Sequence, residues 1–114
     1  MTNGRQKGAV GEREIAKILR EHGYSSARRG QQYCGTSGEA DVVGIPGVHI
    51  EVKRVENLNL DKAMAQSVRD ARENETPVVF HRKNRTEWKV TLFLEDYLNL
   101  LKGSDAHGHT GNDT

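Results

Sequence analysis

The residues whose types and spacing suggest chemistry are concentrated in two neighbouring apolar segments. Asp41 stands in the first segment, and Glu51, Val52 and Lys53 lie in the second. Side chains alternate between the two faces of a strand, so His49, Glu51 and Lys53 share one face. His49 could help to position a water molecule there, but we expect a surface histidine. Carboxylates beside an ammonium group can hold a divalent cation next to a phosphate. A half-buried strand with a solvated polar face would show the same alternation, and the Glu-Val-Lys triplet alone favours that simpler interpretation.

Whether Asp41 can join Glu51 depends on the register of the hairpin that contains the Pro-Gly pair at 46–47. A two-residue loop would pair Asp41 with Val52 and place the two carboxylates on opposite faces. Pro-Gly favours a type II turn, however, whereas two-residue hairpins favour the primed turn types. We therefore expect a loop of odd length or a bulge that brings Asp41 opposite Glu51 or Lys53. Adjacent carboxylates repel unless a cation joins them, so the pattern predicts bound Mg²⁺, with Mn²⁺ as a substitute.

Glu12 is the third candidate ligand, from the first predicted helix. It precedes Ile15 by three residues and Ala16 by four, which places it on the inward stripe of that helix. An inward carboxylate costs several kcal/mol unless it is paired or bound to a metal. The alternative is that the helix frays and Glu12 reaches solvent or a nearby arginine. The predicted metal ligands are the side chains of Glu12, Asp41 and Glu51 and the backbone carbonyl of Val52.

This set of groups suits phosphodiester hydrolysis. A bound metal ion would polarise the phosphate and lower the pKa of a water molecule. Lys53 would supply a compact positive charge beside the attacking water or the developing charge on the phosphate. A role for Lys53 as a general base is an alternative that the sequence leaves open.

The hydrophobic pattern also predicts the elements that position these residues. Asn59 is a predicted N-cap and Gly23 a predicted helix end. The predicted elements are a helix at 9–22, strands at 24–29, 40–45 and 48–55, a helix at 60–73 with Leu60, Met64, Val68 and Ala71 inward, strands at 77–81 and 88–93, and a helix at 95–101. The order α-β-β-β-α-β-β-α is typical of an α/β fold, a mixed sheet of about five strands flanked by helices.

The length and composition limit the remaining possibilities. The 114 residues fit one domain at 1–102, followed by a polar segment at 103–114 that we expect to be disordered. Cys34 is the single cysteine, which excludes an internal disulfide and suits a reducing cytoplasm. We find no signal peptide and no apolar run of the ~20 residues that span a bilayer, so we expect a cytoplasmic protein without membrane contact. A domain this small favours dimerisation, and the leucines of the closing helix are a candidate surface.

Basic residues are concentrated in two segments, although the net charge is only +1. Residues 24–38 carry Arg28 and Arg29 without an acidic residue, and residues 80–89 carry four lysine and arginine side chains against one glutamate. Such segments are typical of phosphate contacts and equally of ordinary solvated turns. The predicted DNA contacts from these segments are Arg28, Arg29, Arg82, Lys83 and Arg85.

Taken in order, these motifs resemble the PD-(D/E)XK nucleases, and within them the archaeal-type Holliday junction resolvases. The resemblance begins with the segment from Lys7 through Gly8 and Glu12-Arg13 to Ile15, continues through residues 19–24, and includes Asp41 and Glu51-Val52-Lys53. A weaker similarity lies at Gln66, where such nucleases often place a glutamine near the metal site. Ala40 stands where the motif name has proline, and the region after Arg54 carries no further signature.

The resemblance implies a restriction-endonuclease-like fold and a Mg²⁺-dependent DNA endonuclease. It implies a catalytic set of Glu12, Asp41, Glu51, Lys53 and Gln66, with Lys7 as a further DNA contact. The substrate would be branched DNA in recombination or repair, cut by a homodimer, and a phage-encoded enzyme would act in the host cytoplasm. The alternatives are a flap, nicking or restriction-type nuclease, a non-catalytic nucleic-acid-binding module, or a small enzyme or interaction domain whose acids are only surface charge.

Overall fold

Within the described residues, five strands form one mixed sheet that three helices accompany. The computed structural model of the protein describes residues 4–30 and 40–108, with the backbone alone for 4–7 and 104–108. The elements are α1 (Gly4–Glu21), β1 (Arg28–Arg29), β2 (Val42–Val43), β3 (Val48–Arg54), α2 (Leu60–Asp70), β4 (Thr76–Arg82), β5 (Lys89–Thr91) and α3 (Leu94–Gly108). This is the predicted order, and the α/β, restriction-endonuclease-like fold class is confirmed.

The strands lie in the order β1-β2-β3-β4-β5, with β3 at the centre of the sheet. The β3–β4 pair is parallel and spans seven residues, whereas the other three pairs are antiparallel. Parallel neighbours need a crossover connection, and here α2 provides it. The long central pair is therefore the rigid platform on which the residues of β3 are held.

The two faces of β3 pack against different helices. Ile50 and Val52 contact Ile15 and Ala16 of α1 in the main apolar cluster. The other face lies under α2, where Ala63, Met64 and Val79 form a smaller cluster. Burial of an aliphatic side chain contributes about 1.5–3 kcal/mol, so these clusters hold both helices on the sheet. The alternation along β3 thus leaves its odd-numbered residues, the polar ones, beneath α2.

Helix α1 ends at a glycine, as the sequence predicts. Gly23 has φ +102°. Its N–H donates to the carbonyl of Arg20, and the N–H of Tyr24 donates to the carbonyl of Leu19. These two bonds form a Schellman motif, which satisfies carbonyls that the last turn would otherwise leave open. The chain then turns towards β1.

The hairpin between β2 and β3 has the predicted offset. Val42 pairs with Ile50, which places Asp41 opposite Glu51 on the same face of the sheet. Gly47 has φ +82°, the conformation that the third position of a type II turn requires. The register therefore brings the two carboxylates together.

Several predicted boundaries were too wide. The strand predicted at 24–29 is reduced to β1, and the strand predicted at 40–45 to β2. Val68 was predicted to point inward but is exposed, because Ser67 takes the inward position on α2. Its hydroxyl donates to the carbonyl of Val78 at 3.1 Å. Helix α2 therefore turns a different side towards the sheet from the one that its apolar residues predict, with Ser67 buried and Val68 exposed.

Helix α3 continues beyond its predicted end at residue 101 to Gly108. The last residues of the predicted tail, 109–114, lie outside the described residues, as does Cys34. The division into a domain at 1–102 and a tail stays a prediction. None of the described helices combines the length and apolar character that crossing a bilayer requires.

Replacing Gly44 with alanine should destabilise the fold far more than the same change at Gly47. Both glycines have positive φ, which costs an L-residue about 1–2 kcal/mol. At Gly44 an added Cβ would also overlap with the backbone carbonyl of Ser26, whereas at Gly47 it meets open space. We expect a loss of at least about 4 kcal/mol in the free energy of unfolding for Gly44→Ala, measured by urea denaturation. Equal losses at the two positions would contradict the overlap.

Candidate active site

Asp41 and Glu51 lie side by side at the centre of the site. The carbonyl of Asp41 accepts from Gly30 N–H at 2.8 Å, and its N–H donates to the carbonyl of Ile50 at 2.9 Å. Its Oδ2 accepts a hydrogen bond from Val52 N–H at 2.8 Å. The backbone ladder and the side chain together fix the Asp41 carboxylate beside β3. Both carboxylates are buried, with exposed fractions of 8% for Asp41 and 2% for Glu51.

The pKa of Glu51 is shifted by its burial and by its neighbours. Burial raises the pKa of Glu51 above its ordinary value, and the charge of Asp41 raises it further, while the hydrogen bond to His49 opposes both. A buried carboxylate with a raised pKa is one whose negative charge is incompletely compensated. The pair therefore favours a bound cation.

His49 is a member of the site that the sequence did not assign. Its Nε2 lies 2.7 Å from Oε2 of Glu51, and its Nδ1 lies 3.7 Å from Oε1 of Glu75. Burial by itself lowers the pKa of His49, but the hydrogen bond to Glu51 and the charges of Glu51, Glu75 and Asp70 raise it above its ordinary value. The expectation that His49 is a surface histidine is wrong, since only 1% of it is exposed. Its two ring nitrogens thus lie between the carboxylates of Glu51 and Glu75.

Glu12 reaches the edge of the site from α1. The helix approaches β3 closely at Gly11, where an added Cβ would lie 3.3 Å from Val52 and 3.2 Å from Arg54. The Oε1 of Glu12 accepts from Nε of Arg29 at 2.9 Å. Burial raises the pKa of Glu12, the bond to Arg29 opposes this, and the charge of Asp41 raises the pKa again. Glu12 is thus within electrostatic reach of Asp41 and is also paired with an arginine, as the alternative interpretation expected.

Lys53 follows Glu51 on the same face of β3 and meets the residue of α2 that the resemblance singled out. Its Nζ donates to Oε1 of Gln66 at 3.2 Å. Both side chains are partly buried. The amide oxygen of Gln66 therefore restrains an otherwise flexible ammonium group on the face of β3 that also carries Glu51.

Two overlapping sets of side chains have the chemistry to hold a metal ion. Asp41 and Glu51 form an all-oxygen pair, the donor type that Mg²⁺ and Mn²⁺ prefer. The second set consists of His49, Glu51 and Asp70, whose ligand atoms lie within 4.8 Å of one another. In the second set the imidazole is already engaged with Glu51 through a short hydrogen bond. The first set fits a hard cation better, because both of its side chains offer carboxylate oxygens.

The basic residues fall into two groups. The first group is paired with acidic side chains: Arg29 forms an ion pair with Glu12. Arg82 forms an ion pair with Glu14, with 3.3 Å between Nη1 and Oε2. The guanidinium carbon of Arg82 also lies over the ring of Trp88, 5.7 Å from its centroid. The second group consists of Arg28, Lys83 and Arg85, which are exposed and form no ion pair among the described residues, whereas Arg29 is exposed and paired. Arg85 also lines an open cavity with Arg54, Glu56, Arg82 and Asn84, at the end of β3 and β4. The side chain of Lys7 lies outside the described residues.

A comparison with protein families yields a match over most of the chain. A family model described as "Phage putative PDDEXK endonuclease" covers residues 3–110 of this chain. No curated protein matches the chain, and no solved structure does.

Proposed function

The chain belongs to this phage PD-(D/E)XK endonuclease family, and on that premise we propose that it hydrolyses phosphodiester bonds of DNA with a bound divalent cation, Mg²⁺ or Mn²⁺. The observation that most supports this reaction is the register of β2 and β3, which puts Asp41 opposite Glu51. Two observations add support: the charge of Asp41 acts on Glu12, and Lys53 follows Glu51 on the same face of β3. Nuclease chemistry is the family's class, whereas the substrate, the metal and the roles of individual residues are our proposals.

In this proposal Asp41 and Glu51 hold the cation, together with the carbonyl of Val52. The N–H of Val52 donates to Asp41, and the N–H and C=O of a strand residue point towards the same neighbour, so that carbonyl is directed to the same side. When bound, the cation would polarise the phosphate and favour deprotonation of the attacking water. A contribution from Glu12 would come through its Oε2, because Oε1 accepts the bond from Arg29.

Lys53 acts on the substrate as a positioned positive charge. Its ammonium group donates to Gln66, and a lysine has three donors, so further hydrogens remain for a phosphate oxygen. A fixed charge next to developing negative charge lowers the barrier without reorganisation during the reaction. Gln66 serves as a positioning residue for Lys53.

The DNA backbone would be bound by exposed basic side chains on either side of the site. Arg28 lies on β1, while Lys83 and Arg85 lie in the turn between β4 and β5. Such contacts orient the duplex and carry no sequence information, which agrees with selection by DNA shape. Contacts from Lys7, Arg29 and Arg82 stay predictions, and the two arginines would make them with the N–H groups that do not bind Glu12 and Glu14.

We further propose that the enzyme prefers branched DNA, as a resolvase-like homodimer in the cytoplasm of the phage host. The Lys-Gly and Glu-Arg motif of α1 supports this preference, because it is the part of the sequence most similar to archaeal-type resolvases. Two-fold symmetry would place two sites on paired strands of a junction. Flap, nicking and restriction-type activities use the same chemistry on other DNA shapes.

A substrate panel tests the proposal. The full chain should cut a four-way junction in the presence of Mg²⁺, at least about tenfold faster than a flap or a linear duplex, a difference of about 1.4 kcal/mol in activation free energy. EDTA should stop cleavage and added Mn²⁺ should restore it. Binding of the junction should weaken steeply as salt is raised. The matched inactive control is Glu51→Gln, which keeps the size of the side chain.

The outcomes separate the alternatives. Faster cleavage of the flap or of the linear duplex would replace the resolvase-like preference by the corresponding nuclease type. Junction binding without cutting in either metal would favour a non-catalytic module. Cleavage that persists in EDTA, or in Glu51→Gln, would refute the proposed site.

A further inference from the structure

Seven large apolar side chains are exposed within twelve consecutive residues at the end of the domain. We call them the α3 surface: Val90, Phe93, Leu94, Tyr97, Leu98, Leu100 and Leu101, with exposed fractions between 40% and 69%. The core ends just before α3, since Leu92 still packs against the main cluster. Among the described residues, α3 packs closely against no other helix or strand. An apolar helix without a partner in its own domain calls for a partner from outside it.

The apolar residues of α3 lie on one side of the helix. Leu94, Tyr97, Leu98 and Leu101 follow the spacing i, i+3, i+4 and i+7, which forms a continuous stripe. Val90 and Phe93 are exposed just before the helix, Val90 on β5, which is an edge strand of the sheet. The four residues of the stripe therefore give α3 a continuous apolar face.

The size of the patch matches what a dimer needs. Side chains of roughly 150–220 Å² that are about half exposed give on the order of 600 Å² of apolar surface on each copy. Two such patches would bury about 1,200 Å², the lower end of the range for stable, specific interfaces. Single monomers rarely expose a contiguous apolar patch of more than about 300–600 Å². Exposing this much apolar surface to water is energetically unfavourable.

The charges beside the stripe identify a second copy of the same chain as the partner. Glu95 and Lys102 are seven residues apart, so they lie about two turns apart on the same flank of α3. In an antiparallel pair of helices, this flank meets the same flank of the partner in reverse order. Glu95 of each copy then faces Lys102 of the other, whereas in a parallel two-fold pair this flank meets the opposite flank of the partner and the two ion pairs do not form. The antiparallel arrangement is self-complementary, as a two-fold interface must be.

We propose that the α3 surface is the dimer interface, formed by antiparallel pairing of α3 with α3 of a second copy. The inference rests on the homodimer in the proposed function and adds its location and orientation. The buried leucines and Tyr97 supply the affinity, while the exposed ion pairs set the orientation and contribute little energy.

The molecular mass of the full chain tests the location of the interface. Sedimentation equilibrium without DNA or metal should give twice 12.7 kDa. The double variant Leu98→Glu/Leu101→Glu should give the monomer mass and weaken the dimer at least about 100-fold, with an unchanged circular dichroism spectrum, since both leucines are already exposed. The control is Val68→Glu, on the exposed side of α2, which should remain a dimer. A wild-type monomer at tens of micromolar, or a dimer that survives the double leucine change, would overturn the proposal.

Charge exchange tests the orientation. Glu95→Lys and Lys102→Glu should each weaken the dimer, and the combination of the two should restore it. If the single changes have no effect, or the combination is no better than either, the antiparallel orientation is wrong. Because mass is measured without substrate, a dimer that cuts nothing would refute the proposed function alone, and a monomer that cuts DNA would refute this inference alone.

Discussion

Replacing Asp41 with asparagine should lower the rate of DNA cleavage by at least about 10³-fold, which is about 4 kcal/mol in activation free energy. The change removes one of the two charges that face each other across β2 and β3. The remaining ligand, Glu51, is already hydrogen-bonded to His49 at 2.7 Å. Glu51 alone would hold a hard cation weakly, and stabilisation of the charge developing on the phosphate would be lost with it.

The Asp41→Asn variant should lose cleavage activity but still fold. Asp41 accepts a hydrogen bond from the buried N–H of Val52, and the amide oxygen of asparagine can accept the same bond. Asp41→Ala is a less informative variant, because an unsatisfied N–H at Val52 would cost about 1–3 kcal/mol of stability. Relief of the repulsion with Glu51 should leave the metal-free Asp41→Asn protein at least as stable as the wild type in thermal unfolding.

The matched control is Asp70→Asn, which removes a carboxylate from the other side of Glu51. If the cation lies between Asp41 and Glu51, Asp70→Asn should cleave DNA at nearly the wild-type rate. Saturating Mn²⁺ should also raise the unfolding temperature of the wild type and of Asp70→Asn, but not of Asp41→Asn; at 100 times Kd such stabilisation is about 2.7 kcal/mol. The opposite pattern would place the metal with His49, and full activity of Asp41→Asn would refute the site.

The position of Asp41 shows what sequence reasoning can reach. A Pro-Gly pair fits the type II turn, and that preference was enough to reject a two-residue hairpin. The structure has the expected offset, with Asp41 opposite Glu51. Local turn chemistry thus predicted a contact between residues ten apart in the sequence.

His49 shows where the same reasoning fails. Alternation along β3 correctly gave His49 and Glu51 a shared face, and a polar face is normally interpreted as solvated. Here α2 covers that face and leaves His49 almost wholly buried. The burial of His49 depends on which side of α2 faces the sheet. Ser67 lies on that side and bonds to the carbonyls of His49 and Val78, whereas Val68 does not face the sheet. A small polar residue that bonds backbone carbonyls of two strands leaves no trace in hydrophobic periodicity.

Glu12 is an intermediate case. The helical spacing correctly directed it inward, and it lies near enough to Asp41 for that charge to raise its pKa. Its bond to Arg29 was only an alternative, because the sequence cannot tell which of two consecutive arginines faces α1. Register decides that point, since Arg29 pairs with Val42 and therefore shares the α1 side of the sheet.

Replacing Lys53 with methionine should lower cleavage about 10²–10³-fold while DNA binding changes little, since a single positioned donor for developing charge is worth that much. Methionine keeps most of the apolar stem, so the packing between β3 and α2 should persist. The bond from Lys53 to Gln66 makes a further prediction, because the amide oxygen restrains the ammonium group at 3.2 Å. Gln66→Met should therefore lower cleavage less than Lys53→Met does, about tenfold, through loss of positioning.

Arginine at position 53 distinguishes the two chemical roles. An arginine keeps the positive charge but cannot act as a base. If Lys53 stabilises charge, Lys53→Arg should cleave faster than Lys53→Met in single-turnover assays; if Lys53 were the base, the two variants would be equally slow. Lys62→Met, an exposed lysine at the start of α2, is the control and should cleave normally. Wild-type rates in Lys53→Met would mean that the ammonium group has no part in the reaction, and would leave the carboxylates as the whole of the active site.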